Sequence, residues 1–345
     1  MLAESLLILS LLQATPADST RPAVTAPRDT LRFYAVGDLN LGRALTYRYL
    51  LQGDTLYPFA TIADTLRAAD VLFGNLESPI APLGHPFEKT GSFVFSTPPI
   101  AADALVRAGF DVVSNANNHA WDVGLTGVFE TLKQLDRVGL AHAGTGRTIA
   151  EAHRPARLET RGWRIAVFAV TRAFNPAPRH FFSHQGSRYI AWADSGWLYP
   201  AIRRLKAAGG VDFVVVSIHA GKELADSADW ALQQFLRGAI DAGADLCLGH
   251  HPHVLQPLEW YHGKPIAYSM GNFIFEQTSP WTRLSAIFKF TVTPDGAITA
   301  DLIPTRVGFR ATFAGGPAAD SVWRRVGLEP RSRLPSFYFA YIPQP

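Results

Sequence analysis

The sequence is poor in the residue types that mark several common kinds of site. Its 345 residues include a single cysteine, Cys247, so an intrachain disulfide and a CxxC metal site are both excluded. Cys247 lies in an apolar run, and we expect it to be a small buried hydrophobic side chain. Any metal site in this chain must therefore use oxygen and nitrogen ligands.

The sequence also lacks a large excess or a cluster of charge of either sign. Charged residues make up 18% of the chain, the formal net charge is +3, and lysine and arginine are spread along the sequence. A nucleic-acid-binding domain would instead concentrate basic residues in one segment or on one face. With 48% hydrophobic residues, the composition predicts a globular protein with a sizeable core and no nucleic-acid partner.

Long apolar runs are missing as well, and the run at residues 6–12 (LLILSLL) is too short to span a bilayer. It has the length of a signal-peptide hydrophobic region, and small residues follow it, with cleavage expected after Ala17. No lysine or arginine precedes the run, so the alternative is an apolar extension that packs on the fold. We expect residues 1–29 to be a signal segment and linker, and the protein to be exported to the periplasm, the cell exterior or the membrane surface.

Strand-like and helix-like hydrophobic patterns alternate along most of the chain. Apolar runs of strand length occur at 31–36, 71–73, 111–114, 140–143, 164–170, 213–218, 245–248 and 265–269. Helical patterns occur at 58–70, 99–108, 125–138, 200–208 and 228–242. Residues 285–293 and 297–303 flank a Pro-Asp-Gly turn, which predicts a hairpin. The alternation predicts a layered α/β fold with a largely parallel sheet and some antiparallel strands.

Polar residues cluster directly after the predicted strands, where ligands bind in open α/β sheets. Asp38 and Arg43 follow the first strand, and Glu77 follows the second in the sequence Gly-Asn-Leu-Glu. The segment 115–122 holds three asparagines and His119, with Asp122 placed to orient the imidazole. Carboxylate and amide oxygens can ligate a divalent metal, and a histidine can donate a proton near neutral pH.

The sequence Gly-His-His-Pro-His at 249–253 is the strongest single metal signal. On an extended backbone the spacing would direct His251 and His253 to one side and His250 to the other. His219 ends another predicted strand, and for this residue alone a buried core histidine is an equally good interpretation. The combined carboxylate, amide and imidazole set suits Mn, Fe or Zn, singly or as a pair.

Taken in order, these motifs resemble the CapA family of poly-γ-glutamate capsule biosynthesis proteins, within the calcineurin-like metallophosphoesterase superfamily. The matching segments are GDLNLGR (37–43), GNLESPI (74–80), ANNHAWDVG (116–124), HAGTG (142–146), HAGKE (219–223), GHHPHVLQPLE (249–259) and GKPIAYSMGNFIFE (263–276). The resemblance implies a four-layer α-β-β-α sandwich, which we expect to span residues 30–307. The aromatic-rich residues 308–345 are expected to form a C-terminal extension packed on that domain.

The resemblance also implies a centre with two divalent metal ions, Mn, Fe or Zn. The expected ligands are Asp38, Glu77, Asn118, His219, His251 and His253, with His119 as the catalytic proton donor beside Asp122. The expected substrate contacts are Arg43, Lys89, Arg172, Glu223 and Asn272. Two alternatives stay open, namely Asn75 or Glu77 and His250 or His251 as the ligand. The sequence departs from the superfamily pattern at Asn40, which replaces a histidine, and at Gly-Asn-Leu-Glu, which replaces Gly-Asp-x-x-Asp.

Two functions follow from these features. The first is a metal-dependent hydrolase of a phosphoester or amide bond, linked to the synthesis, release or attachment of an anionic capsule polymer such as poly-γ-glutamate. The second is a non-catalytic, exported polymer-binding component of capsule assembly. The expected partners are the anionic polymer or a phosphoester substrate, and a membrane complex of capsule synthesis. Because fold does not fix function, the site must decide between them.

Overall fold

The computed structural model describes residues 27–84, 93–175, 181–277, 279–327 and 340–341. The strands are β1 (Leu31–Leu39), β2 (Val71–Leu76), β3 (Val112–Ser114), β4 (Ala141–Ala143), β5 (Ala156–Thr160), β6 (Trp163–Thr171), β7 (Phe213–His219), β8 (Leu246–His250), β9 (Leu258–Tyr261), β10 (Lys264–Ala267), β11 (Asn272–Ile274), β12 (Leu284–Val292), β13 (Ile298–Arg306), β14 (Thr312–Phe313) and β15 (Ala340–Tyr341). The α-helices are α1 (Arg43–Arg48), α2 (Ala63–Arg67), α3 (Ile100–Ala108), α4 (Gly124–Arg137), α5 (Ile149–Ala152), α6 (Ser195–Ala207), α7 (Trp230–Asp241) and α8 (Pro317–Val326).

These strands form two sheets. The first runs in the order β14-β13-β12-β1-β2-β3-β4, with β11 paired to the end of β1 and β15 paired to β13. The second runs in the order β5-β6-β7-β8-β10-β9. Strands β1 to β4 are mutually parallel, as are β6, β7, β8 and β10. Strand β12 pairs antiparallel with β1 on one side and, on the other, with β13, its partner in the predicted hairpin. The carboxyl ends of the parallel strands in each sheet therefore share one edge.

Three hydrophobic clusters lie between the layers and pack them together. Between the sheets, Phe33 of β1 and Phe213 of β7 lie with ring centroids 6.0 Å apart. The neighbouring Tyr34 points to the other face of β1, where a second cluster joins this sheet to α2 and α3. A third cluster packs Leu198 of α6 and Leu236 of α7 on the outer face of the second sheet. This two-residue alternation produces the predicted four-layer α-β-β-α sandwich.

Two predicted helices differ from the structure. The helix expected at 58–70 is reduced to α2, because turns before it already bury Phe59 and Ile62. The helix expected to begin at Pro200 begins at Ser195, where the Asp194 side chain accepts a hydrogen bond from the Gly196 amide at 2.7 Å. An N-terminal cap overrides the usual preference of proline for the first turn.

Helix α8 follows the hairpin and packs Val322, Trp323 and Val326 into the cluster between the sheets. Cys247 is fully buried in the second sheet, as predicted, and burial raises the pKa of its thiol. In the part of the chain that the structure describes, no helix is both long and apolar enough to cross a bilayer.

Asp212, just before β7, joins several parts of the fold opposite the carboxyl ends of the strands. Its side chain is 5% exposed and accepts hydrogen bonds from the Arg164 amide and guanidinium and from Arg28 Nη2 at 2.8–3.0 Å. The Arg164 hydrogen bonds lower the pKa of Asp212, although burial alone would raise it. The stabilisation is therefore complete above about pH 4 and is lost as the pH falls through the lowered pKa.

Replacing Asp212 with Asn is expected to lower the free energy of unfolding by about 1 kcal/mol at pH 7, because both arginines are partly exposed and screened by water. The difference from the wild type should shrink in urea titrations below about pH 4. Asp64→Asn is the control, because that carboxylate is fully exposed. An equal loss at pH 7 and in acid would contradict the assigned cause.

Candidate metal centre

Side chains from both sheets converge where the carboxyl ends of their parallel strands meet. Asp38 lies near the end of β1 and Glu77 directly follows β2 in the first sheet. His219 ends β7 and His250 ends β8 in the second sheet, where their Cα atoms are paired. All four side chains are at most 1% exposed. The fold thus brings residues distant in sequence into one buried polar cluster.

Asp38 lies at the centre of this cluster. Its Oδ1 accepts a hydrogen bond from Asn75 Nδ2 at 2.8 Å, and its Oδ2 lies 3.2 Å from His253 Nδ1. His250 Nδ1 lies 3.2 Å from Asp38 Oδ1. Burial would raise the pKa of Asp38, but the two imidazoles hold it well below its usual range. Asp38 is therefore the ionised carboxylate of the cluster.

Glu77 has a different environment. Both carboxyl oxygens are buried and have no hydrogen-bond partner among the described residues. Oε1 lies 3.5 Å from His219 Nε2, 3.7 Å from His253 Nε2 and 3.9 Å from His119 Nε2. Burial, together with the charge of Asp38, raises the pKa of Glu77 well above its usual range. A buried carboxylate without a partner is destabilising unless a cation or a proton compensates it.

The donor atoms form two overlapping groups that fit divalent cations. One group contains Glu77, His251 and His253, and the other contains Asp38, Glu77 and His219. Within each group, one donor atom from every residue lies within 4.8 Å of the others. Glu77 belongs to both groups, and its unpartnered oxygens are the observation that favours a bound cation. Carboxylate and imidazole donors suit Mn, Fe and Zn.

Burial favours the neutral form, which can ligate a metal, in two of the imidazoles. Burial, reinforced by the neighbouring His251, lowers the pKa of His219 well below its usual value. Burial and His253 lower the pKa of His251 to about 4. His253 Nδ1 lies 2.9 Å from Asn272 Oδ1, which leaves Nε2 on the Glu77 side. Burial alone would lower the pKa of His253, but the neighbouring Asp38 raises it. An imidazole whose second nitrogen is held by an outer partner is typical of metal sites.

The Gly-His-His-Pro-His segment differs from its predicted conformation. Strand β8 ends at His250, and His251 and His253 then adopt φ values of +95° and +58°. Two left-handed residues, rather than an extended HxH, bring both rings to the centre. The prediction that His250 faces away is wrong, because its Nδ1 lies 3.2 Å from Asp38. Non-glycine residues are strained in this region, and such strain concentrates at functional sites.

Asn118 and His119 approach the same cluster from the loop after β3. Asn118 Oδ1 lies 2.7 Å from His219 Nε2. His119 Nδ1 lies 2.6 Å from Asp122 Oδ2, the oxygen that also accepts the Phe95 amide at 2.7 Å. The Phe95 ring lies on the His119 ring, with centroids 4.0 Å apart. These contacts fix the orientation of His119 and direct its Nε2 toward Glu77.

Two of the predicted substrate contacts lie at the rim. The Arg43 side chain is 39% exposed, with φ +57°, and its Nε lies 3.8 Å from Glu276 Oε2. Glu223 is exposed, and its charge contributes to raising the pKa of the Glu77 carboxyl. Both positions are open to a bound molecule, and their contact with substrate stays a prediction.

The other predicted substrate contacts are placed differently. Arg172 lies with its guanidinium 4.3 Å from the Phe235 ring centroid of α7, and its Nε donates to the Ala193 carbonyl, so it packs against the outer helices. Asn272 is fully buried, and its amide contacts His253 and the Thr282 carbonyl. Its position therefore favours orienting His253 rather than contacting substrate. Lys89 lies outside the described residues.

Two asparagines bond within the centre: Asn75, which the sequence left open as an alternative ligand to Glu77, and Asn117, to which it gave no role. Asn75 Nδ2 donates to Asp38 and lies 3.2 Å from His219 Nδ1, so it links the two sheets at the centre. Asn117 donates to the Leu76 carbonyl at 2.8 Å and accepts the His119 amide at 3.1 Å. Their positions after strands marked them as polar loop residues, but only the fold shows what they bond. In this arrangement Glu77, rather than Asn75, presents the unpartnered oxygens.

Comparison with known proteins agrees with the motifs. The family described as bacterial capsule synthesis protein PGA_cap matches residues 32–277. The chain is 30% identical to the PGA biosynthesis protein CapA of Bacillus subtilis over 278 residues, covering 80% of this chain and 71% of that protein. It is 28% identical to the capsule biosynthesis protein CapA of Bacillus anthracis over 297 residues, covering 84% and 71%.

Among solved structures, the sulfate thiohydrolase SoxB of Thermus thermophilus matches with a TM-score of 0.44 and 14% identity, over 84% of this chain and 57% of that chain. A similarity at that level carries no argument about the site. The family match, in contrast, contains every residue of the cluster from Asp38 to Asn272. The chain therefore belongs to the bacterial capsule synthesis protein family PGA_cap, the CapA family that its motifs resemble.

Proposed function

We propose that this protein is a metal-dependent hydrolase whose centre binds two divalent ions that share Glu77. The observation that carries the proposal is the position of Glu77 in both donor groups, with neither carboxyl oxygen hydrogen-bonded to a described residue. Asp38 and His219 would complete one position, with His251 and His253 completing the other. Asn118 lies against His219 and would serve as a further ligand.

Two divalent ions in such a site would supply Lewis acidity and activate water for attack on a phosphoester or amide bond. The chain's own residues prepare the remaining chemistry. Asp122 holds Nδ1 of His119, so the imidazole can donate a proton from Nε2 to a leaving group. Asn75 and Asn272 keep Asp38 and His253 in place, and Phe95 covers the His119 ring and excludes water from it.

The proposed substrate is an anionic polymer. Two relatives carry the names PGA biosynthesis protein and capsule biosynthesis protein, and Arg43 offers a partly exposed guanidinium at the rim. We infer a role in the synthesis, release or attachment of poly-γ-glutamate or a similar capsule polymer, with a membrane complex of capsule synthesis as partner. The same proposal includes export, directed by the apolar segment at residues 6–12. It also includes three parts of the chain: a signal segment and linker (1–29), the domain (30–307) and a C-terminal extension (308–345).

The first test is the metal content of the purified protein after equilibration with Mn²⁺ or Zn²⁺ and removal of excess ion. About two ions per chain are expected, because the donor atoms form two groups. His251→Ala should retain at most one, because it removes an imidazole from only one group. The matched control is His262→Ala, since the His262 side chain is 69% exposed and lies in the β9–β10 turn.

A wild-type protein that retains no metal would contradict the hydrolase proposal. The alternative of a non-catalytic polymer-binding component would then take its place. Binding of poly-γ-glutamate to the metal-free protein, measured by calorimetry, would test that alternative.

A further inference from the structure

Arg325 of α8 lies beyond the residues that the family match covers, yet it contacts three loops around the metal centre. Its Nε donates to the Leu255 carbonyl at 3.3 Å, and its Nη2 donates to Asp226 Oδ1. Its guanidinium carbon lies 4.7 Å from the Trp281 ring centroid. The side chain is only 17% exposed, so it is enclosed by these loops rather than extended into water.

Each residue that Arg325 contacts is connected to His253 or its neighbour through a few residues of chain or hydrogen bonds. Leu255 is two residues after it in the chain. Trp281 precedes Thr282, whose carbonyl accepts Asn272 Nδ2, and Asn272 Oδ1 in turn lies 2.9 Å from His253 Nδ1. Asp226 belongs to the loop after β7, in which the Leu224 amide donates to the Pro252 carbonyl at 2.9 Å. The three contacts therefore converge on one candidate ligand.

The contacts of Arg325 differ in weight. The Asp226 side chain is 84% exposed, and an ion pair in water contributes little. The Leu255 carbonyl and the Trp281 ring use the fixed donor direction and the planar face of the guanidinium, which a lysine would not reproduce. Leu255 itself is 1% exposed and pairs with Met270, so this donor bond ends on a rigid part of the site.

The loop that needs holding is strained. His251, His253 and Leu224 all have positive φ, and none of them is a glycine. Such conformations persist only where surrounding contacts over-determine them. Arg325 contacts the 251–255 segment, the loop carrying Leu224 and the segment carrying Trp281 together. Gln256 reinforces the first of these connections, since its Nε2 donates to the Ala225 carbonyl at 2.8 Å.

We propose that Arg325 is a positioning residue of the metal centre, through which helix α8 holds the loop of His251 and His253 in its ligating conformation. The inference rests on the proposed metal site, but its structural part does not need a bound ion. It assigns to the C-terminal helix a role in metal affinity in addition to packing.

The test is Arg325→Ala in the full-length chain, with Zn²⁺ affinity measured by competition with a chromophoric chelator. The weaker of the two bound ions should lose about tenfold in affinity, the lower end of the range for outer partners of metal ligands. Arg324→Ala is the matched control, because Arg324 is exposed on the same helix and its side chain donates to the Ser321 hydroxyl at 3.4 Å, within α8 itself. If Arg325→Ala does not fold, Arg325→Met keeps the aliphatic stem and replaces it in the assay.

Hydrogen exchange of the metal-free protein gives the second readout. The amides of His251 and of residues 253–256 should exchange faster in Arg325→Ala than in wild type or Arg324→Ala, while the core strands exchange equally. Zn²⁺ affinity equal to that of wild type would overturn the proposal. If the wild type binds no Zn²⁺, the proposed function fails, and hydrogen exchange alone then tests the role of Arg325. Equal exchange rates at His251 and residues 253–256 in Arg325→Ala and wild type would overturn that role.

Discussion

Replacing Glu77 with Gln is expected to abolish metal retention and, at the same time, to stabilise the metal-free protein. The amide has the shape of the carboxyl group but no charge, and Glu77 is fully buried without a hydrogen-bond partner among the described residues. Removing a desolvated carboxylate from this position should raise the free energy of unfolding by about 2 kcal/mol in the presence of EDTA. The same change removes the one donor that both groups share.

The pH dependence identifies the cause of this gain. Burial and the charge of Asp38 raise the pKa of the Glu77 carboxyl in the folded protein. The unfolded chain therefore releases this proton at lower pH than the folded chain, so metal-free wild type should lose stability as the pH rises above about 4.3. Glu77→Gln should lack that loss. Its advantage over wild type should therefore be larger at pH 8 than at pH 5 in urea titrations.

Glu276→Gln is the matched control for both measurements. It makes the same substitution at the rim, where the Glu276 side chain is 43% exposed. It should leave metal content and metal-free stability near the wild-type values. A Glu77→Gln protein that still binds two ions, or that is less stable than wild type in EDTA, would show that Glu77 does not hold the shared position.

Replacing His119 with Ala should reduce turnover of bis(p-nitrophenyl) phosphate by about 10²- to 10³-fold without loss of metal. The factor is that of a positioned general acid, and His119 is oriented for this role by Asp122 at 2.6 Å and by the Phe95 ring. His119 belongs to neither donor group, so both ions should remain. Steady-state kinetics and metal analysis on the same preparation make the two measurements comparable.

The exposed His262→Ala variant controls for loss of an imidazole, and it should retain wild-type turnover. Asp122→Asn should also lower turnover, because an amide in place of the carboxylate would hold Nδ1 of His119 less well. Full turnover in His119→Ala would exclude the proton-donor role. Loss of both activity and metal would instead assign His119 to the ligands.

Much of the centre could be predicted because its residues obey a positional rule. Asp38, Glu77 and His219 all lie at or just after the carboxyl ends of strands, and apolar runs in the sequence mark those strands. The layers could also be predicted, because β1 is apolar at consecutive positions. Phe33 packs on one face of the strand and Tyr34 on the other, so both faces of the sheet are covered.

The rest depends on contacts between distant residues, which periodicity does not encode. Arg172 directly follows β6, and its guanidinium lies 4.3 Å from the Phe235 ring centroid of α7, a contact that the sequence did not indicate. Asn272 looked available to substrate, and its partner Thr282 becomes visible only in the fold. The left-handed conformations of His251 and His253 carry no glycine or asparagine signal, so an extended segment was the natural but wrong expectation.

The division of the donors between two sheets gives a bound ion a second property. Asp38, Asn75 and Glu77 come from the first sheet, whereas His219, His251 and His253 lie at or just after the ends of strands of the second; Asn75 and His219 are 144 positions apart. An ion held by Glu77 and His219 together would act as a reversible cross-link between the two sheets, and it would stabilise the folded state because the unfolded chain does not assemble the site. Neither half of the sequence could form the site alone. Metal affinity would thus report whether the two sheets are docked, and the free metal concentration would set how firmly they stay together.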